Sequence, residues 1–265
     1  MEIIGYLATV LMGATLGLIG GGGSILTVPI LVYLFGLTPS VATGYSLFIV
    51  GSTALVGSLS YIKRGEVQLN TVLNYAIPGF AGVYLTRAFL LPSLPEYLFQ
   101  VEEITITKDI FVMSIFAALM FLASISMIRS QKQKASPNPS AKNRRFLTAL
   151  QGFSIGVVAG TVGAGGGFLI VPSLVVLAGL SMKTAVGTSL VIIAINSLFG
   201  FTGDLGNHDS INWPLLFTVS GIAAIGILIG YALSRQISDA NLKKIFGWFV
   251  LIMGTTILID QILKV

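Results

Sequence analysis

The chain has 265 residues, of which 54% are hydrophobic and 9% charged, with a formal net charge of +5 and no cysteine. A soluble domain carries about 25% charged residues, so this composition excludes a water-facing surface and makes lipid the surrounding medium. It also excludes a disulfide framework or thiolate metal site, and the single histidine, His208, is too little for a histidine-based metal centre.

The N-terminal stretch "MEIIGYLATVLMGATLG" lacks the basic start and A-x-A cleavage site of a signal peptide, and its end recurs later, so it is read as part of the mature protein. Long apolar runs follow at about residues 3–20, 38–61, 70–91, 109–128, 146–162, 182–203, 213–233 and 245–263, near the roughly 20 residues a spanning helix needs. Two shorter runs, at about 24–35 and 167–179, each follow a glycine cluster. At 1.5 Å per residue they reach only about 18–20 Å, too little to cross alone.

Between Arg129 and Arg145 the sequence "RSQKQKASPNPSAKNRR" holds six basic residues, no acid and two prolines. It reads as a solvated cytoplasmic linker, not a nucleic-acid patch, because it flanks spans. The division is residues 1–128, a first transmembrane repeat; 129–145, the linker; and 146–265, a second repeat. A shift of 143 residues aligns Gly13–Gly57 with Gly156–Gly200 without a gap, and 20 of the 45 positions are identical. Internal repeats mark secondary transporter folds.

Loop charges orient the copies. Lys63 and Arg64 lie in a loop expected inside, and Glu96, Glu102 and Glu103 in one expected outside. The counterpart of the Lys63–Arg64 loop, "GDLGNHDSIN", has Asp204 and Asp209 and no lysine or arginine, whereas the next loop, "SRQISDANLKK", is basic. The second copy is therefore expected to be inverted. The fold class is an all-α polytopic membrane protein, an inverted repeat with a glycine-rich broken or re-entrant helix pair plus three long transmembrane helices per half.

The glycine runs are "GGGGS" at Gly20–Ser24 and "GAGGGF" at Gly163–Phe168. A break between two helical pieces frees N–H groups at the start of the second, which with the helix dipole make an anion site. Consecutive glycines let those groups converge as a nest, and irregular backbone at membrane depth survives only buried in protein or lining a cavity. Candidate substrate-binding residues are Gly20, Gly21, Gly22, Gly23, Ser24, Gly163, Gly165, Gly166 and Gly167, with Gly22 and Gly165 expected to resist a Cβ. Spaced glycines, Gly13 with Gly17 and Gly156 with Gly160, are read as helix-packing pairs.

Polar residues on the following spans extend the site. Thr43, Ser46 and Thr53 share a helical face, matched by Ser189 and Asn196 with Thr188 beside them. These are either substrate contacts or helix-to-helix hydrogen bonds. Arg87, near the end of the third long run, either snorkels to the interface or attracts the anion. Asp204 and Glu66 read as loop residues, with proton coupling as the alternative.

At these residues the sequence resembles the TauE/SafE, or sulfite exporter, family, whose doubled pattern is G-x-x-x-G-x-x-G-x-G-G, an apolar stretch, proline and a later G-T-S-L. Gly13–Gly23 with Pro29, and Gly156–Gly166 with Pro172, fit it; "GTSL" stands at Gly187–Leu190, while the first copy reads "GYSL" at Gly44–Leu47. The resemblance implies a multi-pass plasma-membrane exporter of sulfite, sulfonates or related small organosulfur anions. Its partners would be that anion and membrane lipids, with no nucleic acid and no cofactor; a homo-oligomer is left open. Proton-coupled uptake of a small anion and a non-transporting membrane scaffold are the alternatives. An enzyme is not expected, since no Ser–His pair, H-E-x-x-H motif or carboxylate pair occurs within a span.

Overall fold

The structure, a computed structural model, describes residues 2–95, 97–101, 104–129, 141–162, 165–176, 178–204 and 211–262. The first half holds α1 (Glu2–Ile19), α2 (Gly22–Pro29) running on as a π-helical turn over Ile30–Leu34, α3 (Pro39–Lys63) and α4 (Leu69–Leu85). A second π-helical turn, Thr86–Leu90, and the short α5 (Leu91–Ser93) continue α4, and α6 (Lys108–Arg129) closes the half. The second half holds α7 (Ala141–Val162), α8 (Gly167–Val176), α9 (Met182–Thr202), α10 (Trp213–Ser234) and α11 (Asp239–Ile262).

The apolar runs read from the sequence fall on these helices. Among the described residues, four stretches are long and apolar enough to cross a membrane by length and composition: Pro39–Lys63, Met182–Thr202, Trp213–Ser234 and Ala240–Ile259 within α11. Helix starts follow local chemistry. Ser181 Oγ accepts the Thr184 N–H at the head of α9, and Asn212 Oδ1 accepts the Leu215 N–H at the head of α10.

Two departures matter. The helical bundle also carries a small hairpin that is not expected from the sequence, β1 (Tyr97–Val101) and β2 (Ile104–Thr107), an antiparallel pair with Phe99 opposite Ile106 and Val101 opposite Ile104. Its β-branched and aromatic residues suit a pleated surface, and the segment is too short for a periodicity signal. Glu96, Glu102 and Glu103 lie outside the described residues. In addition, α7 begins at Ala141, inside the stretch read as linker, because Ala, Lys and Arg are good helix formers. Residues 130–140 lie outside the described set.

Close glycine contacts fix how the helices run. An added Cβ at Gly13 meets the Ala223 carbonyl, at Gly17 the Ile227 carbonyl and at Gly230 the Ala14 carbonyl, so α1 and α10 run parallel. The counterpart is α4 with α7: Gly152 meets Tyr75, Gly156 meets the Gly79 carbonyl and Gly160 meets Val83 and Thr86. These are the expected small-xxx-small interfaces, with backbone against backbone. The third interface differs in direction. Gly200 faces Leu47, Gly51 faces Leu198 and Gly187 faces Tyr61, so α3 and α9 are antiparallel.

Two more parallel pairs complete the arrangement. α10 lies along α3 through Tyr45–Asn212, Phe48–Phe217 and Tyr61–Tyr231. α9 lies along α4 through Gln68–Thr188, Phe80–Phe199 and Arg87–Asp204. Exchange of the halves maps α1–α10 onto α7–α4 and α3–α10 onto α9–α4. The outer faces are apolar. Ile3, Leu7 and Leu11 form an exposed stripe on α1, as do Leu69, Leu73 and Ile77 on α4 and Trp248, Ile252 and Ile259 on α11. Exposed apolar surface of that extent requires lipid.

Candidate functional site

The two glycine breaks meet inside the protein. Gly20–Ser24 are buried, as are Gly165–Phe168. An added Cβ at Gly167 falls 2.8 Å from Gly21 Cα and 3.2 Å from Ser24 Oγ, and one at Gly21 meets the Gly167 carbonyl. The heads of α2 and α8 therefore face each other. Gly21, the N-cap residue of α2, has no side chain to bond the first N–H groups of the helix. Each helix start carries about half a positive charge, so this contact gathers two positive ends with no counter-charge on the adjoining residues.

The backbone conformations correct one expectation. Gly165 has φ +64°, as expected, and Gly166 has φ +69°. In the first break the left-handed residue is Gly20, with φ +79°, and not Gly22, which already belongs to α2. The chain reverses before the helix starts, so the residue preceding the helical turn takes the left-handed geometry. Gly163 lies outside the described residues. Gly23 is a packing residue, since its Cβ would enter Met12 and Leu16 of α1.

Around the breaks, the serines sit as the duplication implies. Ser46 Oγ donates to the Thr43 carbonyl and Ser189 Oγ to the Val186 carbonyl, each at 2.8 Å and each at equivalent positions. Ser189 Oγ lies 2.8 Å from the place a Gly20 Cβ would take. Ser24 Oγ donates to the Gly21 carbonyl at 2.7 Å. Ser197, not singled out by sequence reasoning, lies with its Oγ 2.6 Å from a Gly165 Cβ. It sits eight residues after Ser189, on the same helical face, which is the signal that identifies it. Among the described residues, Thr53 Oγ1, Asn196 Oδ1 and Ser197 Oγ meet no hydrogen-bond partner.

Other candidates stand elsewhere. Asn196 Nδ2 faces Gly79 of α4, away from the breaks. Thr188 Oγ1 accepts the Gln68 N–H at 3.0 Å, at the head of α4. Its repeat counterpart, Tyr45, uses its hydroxyl in the same way, accepting the Asn212 N–H at 2.7 Å at the head of α10. The "GYSL" departure therefore keeps the bond with a longer arm. Arg87 does not snorkel. It is buried in the π-helical turn after α4, and Nη1 lies 3.0 Å from Asp204 Oδ2. Asp204, read as a loop residue, is buried directly beyond α9. Among the described residues, no three His, Asp or Glu side chains cluster as a metal site.

A buried meeting of two helix heads, inside a duplicated helical bundle with an apolar exterior, defines a polytopic membrane protein. The profile of the family described as "Sulfite exporter TauE/SafE" matches residues 5–257, and the chain belongs to that family. It is 29% identical over 248 residues to a probable membrane transporter protein of Xylella fastidiosa, covering 91% of this chain and 88% of that one. It is 28% identical over 272 residues to the probable membrane transporter protein YunE of Bacillus subtilis, covering 95% and 96%. No solved structure matches. Family and relatives alike indicate a membrane transporter and not an enzyme.

Proposed function

We propose that this transporter exports sulfite, sulfonates or related small organosulfur anions across the plasma membrane, binding them where the heads of α2 and α8 converge. The observation that carries this reading is the convergence itself. Two positive helix ends held together in a dry interior are mutually repulsive, and an anion between them reverses the sign of the interaction. Gly20, Gly165 and Gly166 let the chain reverse ahead of the two short helices, and Ser189 and Ser197 lie beside Gly20 and Gly165 respectively. The family's description names sulfite and the outward direction, and sulfonates carry the same kind of oxyanion head.

The same reading makes residues 1–128 and 146–265 inverted copies. Support comes from the antiparallel run of α3 and its counterpart α9, and from the basic loops, which change place between the halves. Burial of both breaks favours helix pairs that turn back within the protein, with the site near the bilayer midplane.

The binding test is calorimetry on purified, monodisperse protein with sulfite, sulfoacetate and taurine. Gly20→Val and Gly165→Val should each weaken binding at least about tenfold, or 1.4 kcal/mol, because a Cβ there strains the backbone and fills the space. Parental affinity in both variants would show that the clusters only pack helices. For topology, single cysteines replacing Ser136, Asn207 and Ser238 are exposed to an impermeant thiol reagent on whole cells. Labelling at position 207 alone is expected; equal protection at 207 and 136 refutes inversion.

A further inference from the structure

The repeat shift of 143 residues carries Tyr61 onto Asp204. Both residues end the polar face of their helix, and each binds across to the other half of the chain. Tyr61 donates to the Gly17 carbonyl at 2.8 Å and lies 3.2 Å from Ser234 Oγ. Asp204 holds Arg87. One seam is made of neutral hydroxyls, the other of a buried ion pair whose side chains are 3% and 7% exposed.

The ion pair stands beyond the end of α9, the helix whose Ser197 lies beside the second break. Asp204 lies seven residues beyond Ser197, in the turn that follows α9 and about 10 Å along the chain. Ser197 itself borders Gly165. α4 and α8 flank α9, tied by Tyr75 and Ser173, and Arg87 reaches over its end from the π-helical turn. A π-helical turn is an irregular, adjustable piece of helix that recurs at functional sites.

We propose that the Arg87–Asp204 pair is an anion-operated gate, in which an arriving sulfonate or sulfite oxyanion replaces the Asp204 carboxylate on the Arg87 guanidinium and the π-helical turn swings off the end of α9. This rests on the glycine breaks being the substrate site. Separating a buried ion pair leaves an uncompensated charge, which is strongly unfavourable. An oxyanion keeps the guanidinium paired, since the fork donates to its oxygens as it does to a carboxylate, and the displaced Asp204 carboxylate gains water in exchange as the turn swings away. A neutral solute has nothing to put in the place of Asp204. The hydroxyl seam at Tyr61 needs no such exchange, so one end of the path is selective for anions and the other is not.

The chain has no cysteine, so Ser197→Cys places a single thiol behind the seam. Its labelling by a charged methanethiosulfonate is followed on purified protein in detergent, where membrane sidedness plays no part. In this parent, sulfoacetate should raise the rate at least about tenfold. Asp204→Asn should raise it by a similar factor with no ligand present. The apolar pair Arg87→Met with Asp204→Leu, a kind of exchange that buried ion pairs often tolerate, should keep the fold and abolish the response to sulfoacetate. The proposal is overturned if that double variant responds as the parent does, if the parent does not respond, or if folded Asp204→Asn labels at the parental rate. Should Asp204→Asn aggregate, the double variant decides. The ligand-free arm reads the seam alone, while calorimetry on Gly165→Val reads the break alone, so either idea can fail without the other.

Discussion

The two copies of the repeat share a backbone plan and divide the polar work unequally. At the helix-packing glycines and the serines at 46 and 189 the copies agree, while at the breaks the left-handed residues differ, Gly20 in one and Gly165 and Gly166 in the other. Beyond them they part: Thr53 stands where the second copy has Asn196, Ala54 where it has Ser197, and Tyr61 where it has Asp204. A Cβ cannot be added where two backbones touch, so those positions are tightly constrained. A side chain on a polar face changes chemistry without changing the packing. The duplicated frame thus supplies the central meeting of helix heads, and the departures from duplication give its two ends different character.

The comparison breaks most visibly at the interfaces. Gly13→Val and Gly156→Val each drive a side chain into a carbonyl of the partner helix, Ala223 in one case and Gly79 in the other. Overpacking of this kind costs about 3 kcal/mol, and both variants should lose melting temperature in detergent to a similar degree. A tolerated valine on one side only would show that the interfaces are not equivalent. The hydroxyls at 45 and 188 sharpen the comparison next. Tyr45→Phe and Thr188→Val each remove the acceptor for one N–H, worth about 1 kcal/mol, and calorimetric affinity for sulfoacetate should not change. A loss of affinity in Thr188→Val alone would place that hydroxyl on the substrate.

The smallest effects belong to Gly36 and Gly179, which end the short helices with φ +70° and +69° and with no atom within 4 Å of an added Cβ. Gly36→Ala and Gly179→Ala pay only for left-handed backbone, about 1 kcal/mol, and should bind the anion normally. Reduced binding in either would extend the site to the far ends of these helices.

Helices, breaks and duplication were legible in the sequence because each is a local signal: apolar length, consecutive glycine, a fixed shift. Serines at 24, 46 and 189 stood out as candidates because they sit beside those signals. Arg87 was visible as a rare charge in a span, but its partner is 117 residues away and carried no mark, since an aspartate after a helix ordinarily faces water. Thr188 was visible as polar, yet only the folded chain reveals the Gln68 N–H it serves. Left-handed geometry at Gly20 in place of Gly22 depends on where α2 starts, a boundary that four identical residues cannot specify. The β1–β2 pair and the π-helical turns have too few residues to leave a period.

The parallel glycine interfaces have a consequence for how the chain is made. α1 finds its backbone partner in α10, and α4 finds its own in α7, so neither half covers its glycine surfaces by itself. A ribosome has to deliver the chain through Ser234 before α1 can be seated along its full length. Until then the first half waits in the bilayer with a bare glycine groove against lipid. The sequence halves are therefore not folding units. A chain cut between α6 and α7 should yield two fragments that become stable only when they are produced together.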